Sequence, residues 1–274
     1  MTPVRRARRV GDGPLVKWSL IGIGIVFAIV MILLPVATIL DQAFSEGLGR
    51  WLDLIGEPDM VHAIWLTTLT ALVVVPVNTV FGIAAAWAIT RFRFTGRRLL
   101  QTLIELPFSI SPIVAGTTYL FLYGAQSLLG PWLEDQGIRI MFTVPAIFLA
   151  SAFVTAPFVA RELITTMAGQ GIDDEEAAIS LGAPGFAMFV MVTLPNIRWA
   201  LLYGVILCNA RVMGEFGAVS VVAGSIRGVT NTLPLHIELL FNDYNVVGAF
   251  AAASTLTAIA LLTLIAKLFL DSRR

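Results

Sequence analysis

The chain has 274 residues, of which 57% are hydrophobic and 13% are charged, and its mean hydropathy is +0.86. Soluble domains carry about 25% charged residues, so this composition excludes an ordinary soluble protein and favours one embedded in a lipid bilayer. Lysine plus arginine and aspartate plus glutamate number 18 each, so any charge asymmetry must lie in their distribution. The single cysteine, Cys208, excludes an intramolecular disulfide and a cysteine-rich metal cluster.

Apolar runs long enough to cross a bilayer as a helix, which takes about 20 residues, occur six times along the chain. They cover 18–40, 63–90, 106–133, 140–160, 197–222 and 244–266. Only the fifth contains charged residues, Arg198 at its beginning and Arg211 and Glu215 in its interior. We therefore predict an all-α polytopic membrane protein with six transmembrane helices. The first run is longer than the roughly 7–15 apolar residues of a signal peptide, and we interpret it as a retained helix.

Basic residues are distributed unequally between the two sides that six alternating spans define. Fourteen lysines and arginines fall on the side of the N-terminus, against three on the other side, Arg50, Arg139 and Arg227. Because cytoplasmic segments carry the excess of basic residues, both termini are predicted to be cytoplasmic. Residues 1–17 are then a basic tail on the anionic inner leaflet, and residues 267–274 a second cytoplasmic tail.

The cytoplasmic segment over 161–196 carries the most specific pattern in the sequence. Glu176 is followed by Ala177 and Ala178, then by three residues and Gly182, and nine residues later by Val192-x-Leu194-Pro195. Permeases of ABC importers use this spacing to hold their ATPase. The match therefore indicates that this polypeptide moves a solute with energy from ATP that another subunit hydrolyses.

The same segment predicts a short helix, a sharp corner and a second helix that enters the membrane. Four carboxylates come first, where they favour the positive end of the helix dipole; they are Asp173, Asp174, Glu175 and Glu176. Gly182 is placed to end the helix in a left-handed conformation, and Pro184 to begin the next one. The small side chains of Ala177, Ala178 and Gly182 would let the first helix press into a groove on a partner.

No nucleotide site is predicted in this chain. A P-loop requires Gly-Lys-Ser/Thr, and the two lysines, Lys17 and Lys267, follow Val16 and Ala266. ATP and Mg²⁺ are therefore expected to be used by a separate ATPase, and this chain is expected to bind no cofactor or metal and to be non-catalytic.

Charged residues inside the predicted spans are candidates for a translocation path, since burying them in a bilayer costs about 2.5–3.5 kcal/mol on insertion scales. Arg211 and Glu215 are four residues apart and share one helix face, and Glu105 lies directly before the apolar run of the third span, 106–133. Arg211 and Glu215 could form an ion pair that fixes helix packing, or Arg211 could face the path of an anion. The third span is interrupted twice, at Pro107 and Pro112, and Ser109 and Ser111 lie between these two prolines.

With these residues in hand, the chain resembles the CysW family of permease subunits of sulfate/thiosulfate ABC importers. The likeness is densest from Leu194 to Val222 and in Thr230–His236. It implies a MetI-like permease core over 62–266 in a bacterial inner membrane. It also implies a CysT-like second permease, two copies of a CysA-like ATPase, and a periplasmic sulfate- or thiosulfate-binding protein. Membrane lipids are further partners, and no nucleic acid is expected.

Three alternatives remain at this stage. The same architecture could serve molybdate, tungstate or another oxyanion. An ion-coupled secondary transporter could use Glu105, Arg211 and Glu215 to couple protons to transport, but it would leave the pattern from Glu176 to Gly182 unexplained. A membrane scaffold would have no need of helices broken by proline.

Overall fold

The computed structural model describes residues 14–271, and within that range the chain forms helices and turns and no strand. Of the two predicted tails, residues 1–13 and 272–274 lie outside the described residues, whereas 14–17 belong to the first helix and 267–271 to the last one. The helices are α1 (Pro14–Ala28), α2 (Leu34–Ala43), α3 (Gly47–Ile55), α4 (Pro58–Arg91), α5 (Arg97–Ser109), α6 (Pro112–Tyr123), α7 (Gly130–Asp135), α8 (Val144–Gln170), α9 (Asp173–Ser180), α10 (Gly185–Met188), α11 (Leu194–Met213), α12 (Gly217–Ala223), α13 (Leu233–Asn242) and α14 (Val246–Asp271).

Five helical segments in this range are long and apolar enough to cross a membrane. They are Val16–Ala43, Pro58–Arg91, Val144–Gln170, Gly185–Met213 and Val246–Thr263. Helices α5 and α6 together pass the same test as a pair bent by 109°. Counting this pair as one crossing gives the six spans that the sequence predicts.

The third predicted span, 106–133, is not a straight helix. It begins earlier, at Arg97, breaks between Ser109 and Pro112, and ends at Tyr123. Ile110 and Ser111 are both extended at the break, because a proline disfavours helical geometry in the residue before it. Pro112 then starts α6, where its missing N–H costs nothing.

Two other predicted boundaries also differ from the structure. The run 197–222 is interrupted at Gly214, where α11 has ended, and resumes as the short helix α12. The predicted cytoplasmic segment 161–196 is much shorter than expected. Its first ten residues belong to α8, and the helix that leads into α11 begins at Gly185.

Two of the spans contain a π-helical turn, and each turn lies just before a proline. The turns cover Ile29–Leu33 and Phe189–Thr193, and the prolines are Pro35 and Pro195. A proline ring clashes with the carbonyl four residues before it and donates no hydrogen bond. In both cases that carbonyl belongs to a residue of the widened turn, so the helix passes the proline without ending.

The centre of the bundle is formed by α4, α8 and α11, which pack around a common buried cluster. Their backbones approach closely at Val159 of α8. A Cβ on Gly82 would lie 2.7 Å from Val159 Cγ1, and one on Gly204 would lie 3.2 Å from Val159 Cα. Glycine is needed at such crossings because the neighbouring chain occupies the space of a side chain.

The remaining helices surround this centre. Helices α6 and α12 pack on each other and on α8, and α14 packs on α2, α11 and α13. In the first span, Val16–Ala43, the most apolar stretch has none of its residues buried within the chain, so that surface faces lipid or another protein. We call the end of the bundle that carries α9 the α9 end, and the opposite end, which carries α13, the α13 end.

Candidate coupling site and translocation path

Helix α9 ends in a tight hydrogen-bonded corner, as its sequence predicts. Gly182 has φ +88°, and its N–H donates to the carbonyl of Ile179 at 2.9 Å. The next N–H, of Ala183, donates to the carbonyl of Ala178 at 3.0 Å. This pair of bonds is a Schellman motif, which satisfies the last carbonyls of the helix and requires a left-handed residue. The corner therefore depends on Gly182.

The corner presents small and apolar side chains to the outside of the chain. Glu176 and Ala177 are exposed on α9, and Leu181 and Phe186 on either side of Gly182 are 90% and 80% exposed. Exposed apolar residues grouped with a polar rim mark an interaction surface. We call this surface, made of Glu176, Ala177, Ile179, Leu181, Gly182 and Phe186, the α9 surface.

Glu175 departs from the prediction, because the sequence groups it with the carboxylates that face a partner. The structure buries it and turns it toward the bundle. Its Oε2 lies 2.5 Å from Nε of Arg91, and its Oε1 accepts a hydrogen bond of 2.7 Å from the Thr193 hydroxyl. The other three carboxylates, Asp173, Asp174 and Glu176, are exposed.

Further polar contacts join the same region to the bundle. Asn196 Nδ2 donates to Asp174 Oδ2 at 3.1 Å, and Gln170 Nε2 donates to the Asn196 carbonyl at 3.1 Å. Leu194 is partly buried against the central cluster, and Pro195 is exposed. Leu194 and Pro195 therefore act at the entry to α11 and do not belong to the α9 surface.

The sequence reasoning missed Arg91 and Thr193. Arg91 was counted only as one of several basic residues, yet it is largely buried, while its neighbours Arg93, Arg97 and Arg98 are exposed. One signal was available: Arg91 is still part of the apolar helix α4, whereas the other three follow the helix end. Thr193 had no local signal.

The structure pairs Arg211 and Glu215, the two charged residues of the fifth span. Arg211 Nη1 lies 2.8 Å from Glu215 Oε2, and the Glu215 side chain is 1% exposed against 34% for Arg211. Glu215 Oε1 also accepts the N–H of Ala218 at 3.0 Å, in the first turn of α12. Glu215 therefore fixes the break between α11 and α12, and Arg211 keeps part of its guanidinium accessible.

The break in the third span lies close to this pair. A Cβ on Gly217, the first residue of α12, would lie 3.0 Å from Pro112 Cβ, at the first residue of α6. The N-termini of α6 and α12 are thus brought together beside Arg211 and Glu215. The Glu215 carboxylate accepts an N–H of α12, whereas the start of α6 has a partial positive charge and no side-chain cap. Ser111 precedes α6 directly and is exposed, as are Ser109 and Glu105 on α5. No contact among the described residues brings Glu105 to Arg211.

At the α13 end, a buried histidine caps a polar turn. His236 is 3% exposed, and its Nδ1 lies 3.0 Å from Asn231 Nδ2. Burial lowers the pKa of His236; nearby Asp59 opposes this shift, Arg227 adds to it, and Glu57 opposes it. With Asn231 as donor, the neutral ring accepts at Nδ1 and carries its proton on Nε2.

The protein is therefore expected to lose stability as the pH falls below about 6.5, the pKa of an unperturbed histidine. Below that pH, His236 is protonated in the unfolded chain but stays neutral in the folded protein. The free energy of unfolding therefore falls by up to about 1.4 kcal/mol per pH unit until the lowered pKa of folded His236 is reached. Thermal unfolding of the purified protein at pH 7.5, 6.5 and 5.5 measures this. His236→Gln should remove part of the slope, and an unchanged slope would contradict the assignment.

Within residues 14–271, no group of three or more histidine, cysteine or carboxylate side chains could hold a metal ion. Cys208 is buried in the central cluster.

No family model matches the chain. The "Sulfate transport system permease protein CysW" of Escherichia coli K12 is 57% identical over 257 residues, which cover 94% of this chain and 88% of that protein. The protein of the same name from Synechococcus elongatus is 48% identical over 94% of this chain and 91% of its own length. The "Sulfate transport system permease protein CysT" of Escherichia coli K12 is 36% identical over 92% of this chain and 91% of its own.

Solved structures agree on the fold. A bacterial ABC transporter for import of the acidic polysaccharide alginate superposes with a TM-score of 0.77 at 16% identity, over 94% of both chains. The alginate transporter in complex with its alginate-bound periplasmic protein gives a TM-score of 0.79 at 17% identity, again over 94% of both. These likenesses confirm the polytopic importer-permease fold. Identity to relatives over nearly the whole length shows more: the chain belongs to the CysW family of sulfate transport system permease proteins.

Proposed function

We propose that this chain is the permease subunit of an ATP-driven importer of sulfate, and of thiosulfate as a second substrate. The observation that carries the proposal is the 57% identity to a sulfate permease over 94% of the chain. As a permease, the subunit forms a path across the membrane and hydrolyses no ATP itself. Membership of this family argues against the ion-coupled carrier and the scaffold.

Three kinds of partner complete the transporter. A CysT-like permease supplies the second half of the path, and relatives of that name share 36% identity with this chain. A dimer of CysA-like ATPases, which uses ATP and Mg²⁺, binds the α9 surface. A periplasmic sulfate-binding protein delivers the anion at the α13 end. In this arrangement the α9 end and both termini lie in the cytoplasm of a bacterium, and the protein resides in its inner membrane.

The translocation path is proposed to pass the junction of α6, α11 and α12. Sulfate carries two negative charges, so leaving water costs it less beside a guanidinium and beside helix N-termini. Arg211 supplies the guanidinium, and the start of α6 supplies the helix N-terminus. Glu215 limits the attraction, because a site that held the dianion too tightly would not release it. Ser109 and Ser111 contribute hydroxyl groups at the break, and Glu105 lies on α5 before it.

The function is tested by uptake of ³⁵S-labelled sulfate in a strain that lacks its own sulfate permeases. Expression of this chain with its partner subunits should restore uptake, and inactivation of the ATPase should abolish it. A large excess of unlabelled thiosulfate should suppress the uptake, and molybdate should not. Restored uptake of molybdate but not of sulfate would overturn the proposed substrate, and uptake that persists without the ATPase would overturn the proposed energy source.

A further inference from the structure

Four elements of the α9 end meet at one buried arginine. Arg91, the last residue of α4, forms the ion pair with Glu175 of α9, and both side chains are about 10% exposed. Arg91 Nη1 also donates to the carbonyl of Met167 on α8, at 3.1 Å. Glu175 in turn accepts from Thr193, the last residue of the π-helical turn that leads into α11. We call Arg91, Glu175 and Thr193, with the Met167 carbonyl, the Arg91 cluster.

A surface loop has no need of such a cluster. Removing two opposite charges from water is costly, and their attraction seldom exceeds that cost unless further hydrogen bonds satisfy both groups. A helix that served only as a binding surface for a partner could be held in place by apolar contacts alone. A buried, hydrogen-bonded pair instead fixes one geometry, because any displacement of one partner leaves the other charge unpaired. The cluster therefore favours joint movement of α9 with the ends of α4, α8 and α11.

The second set of contacts supports the same joint movement. Asn196 of α11 bonds Asp174 of α9, and Gln170 of α8 bonds the Asn196 carbonyl. The backbone hydrogen bonds at Gly182 fix the corner that follows α9, and these side-chain contacts hold α9 to α8 and α11.

We propose that Arg91 is a positioning residue for energy coupling: through Glu175 it fixes α9 to α4, α8 and α11, so that a displacement of α9 is passed to three membrane spans together. The proposal rests on the proposed function, since it assumes that an ATPase moves α9. Loss of the cluster would leave α9 able to bind the ATPase while its movement is no longer transmitted.

The test uses the complete transporter, with ATPase, second permease and binding protein, reconstituted in liposomes. Sulfate transported per ATP hydrolysed is measured for Arg91→Gln, Glu175→Gln and the double variant. Each single variant should lower this ratio by about fivefold or more, the lower end of common allosteric couplings, while the ATPase stays bound. Arg93→Gln is the matched control, since Arg93 is exposed two residues beyond the end of α4, and its ratio should equal that of the wild type.

The double variant separates positioning from simple stability. It leaves no unpaired buried charge, so its thermal stability should recover toward the wild type, but the ratio should stay low. A ratio that recovers with the stability would overturn the proposal, and so would an unchanged ratio in an assembled single variant.

A distance measurement is independent of the substrate. Cys208 is the single native cysteine, so spin labels can be placed with Ile179→Cys and Phe94→Cys in a Cys208→Ser background; both side chains are exposed. Arg91→Gln should broaden the distribution of distances between α9 and the end of α4. An unchanged distribution would show that Arg91 does not position α9. Failure of the wild-type complex to transport sulfate would instead overturn the proposed function and leave this measurement valid.

Discussion

Replacing Gly182 with valine is expected to abolish both ATPase association and sulfate uptake while the protein still inserts into the membrane. Gly182 has φ +88°, and a Cβ there would meet nothing within 4 Å in this chain. A non-glycine residue in the left-handed region costs about 1–2 kcal/mol, which disfavours the corner that the ATPase binds, and a side chain pressed into a fitted partner groove costs about 1–3 kcal/mol more. Together these weaken the association about 100-fold, as co-purification of the ATPase and labelled uptake would show.

Gly137, in the loop between α7 and α8, offers a matched control. Gly137 has φ +71° and also has open space around its Cβ position, so Gly137→Val introduces the same kind of backbone strain far from the α9 surface. This variant should retain the ATPase in co-purification. If Gly182→Val also retained it, or if both variants lost it equally, then the α9 surface would not be the site that binds the ATPase.

Replacing Arg211 with glutamine is expected to lower sulfate uptake more than tenfold, the equivalent of about 1.4 kcal/mol. The variant removes the guanidinium from the proposed path and leaves the Glu215 carboxylate buried without its partner. A buried charge left unpaired costs about 3–5 kcal/mol, so the protein should also be less stable. Uptake must therefore be compared at equal amounts of assembled transporter.

A second substitution separates the two effects of Arg211→Gln. In Arg211→Gln/Glu215→Gln the carbonyl of the new glutamine can still accept the N–H of Ala218, and no charge is left unpaired. Assembly should recover and uptake should remain low. Arg198→Gln, an exposed position on the same helix α11, should leave uptake unchanged. Wild-type uptake in the double variant would exclude Arg211 from the path and leave the pair a purely structural role.

The sequence predicts the features that depend on local chemistry. The end of α9 follows from Gly182 and Pro184, and the pairing of Arg211 with Glu215 follows from their four-residue spacing, although α11 ends at Met213 and Glu215 lies in the break after it. The number of spans follows from the apolar runs. The boundaries were less accurate, since the apolar composition continues through the turns at 124–129 and 214–216 and hides the ends of α6 and α11.

Features that depend on distant contacts were not predictable in this way. Four consecutive carboxylates look alike in sequence, and only the buried Arg91 at the end of α4 distinguishes Glu175 from Glu176. Pro107 and Pro112 predicted two interruptions of the third span, but Pro107 lies inside α5 and only the break before Pro112 forms. The angle and direction of that break are set by packing against α12 and α8. The meeting of the α6 and α12 N-termini is likewise a tertiary result.

The widened turn at Phe189–Thr193 accommodates one extra residue between α10 and α11. A π-helical turn holds one residue more than an α-helical turn, whereas an extra residue in a regular helix rotates everything before it by about 100°. The widened turn therefore takes up this residue while α10 and the corner at Gly182 stay close to the direction that a regular helix would give them. Relatives with one residue fewer should show the gap at this turn, with a regular helix in its place, and no single-residue gap within α11.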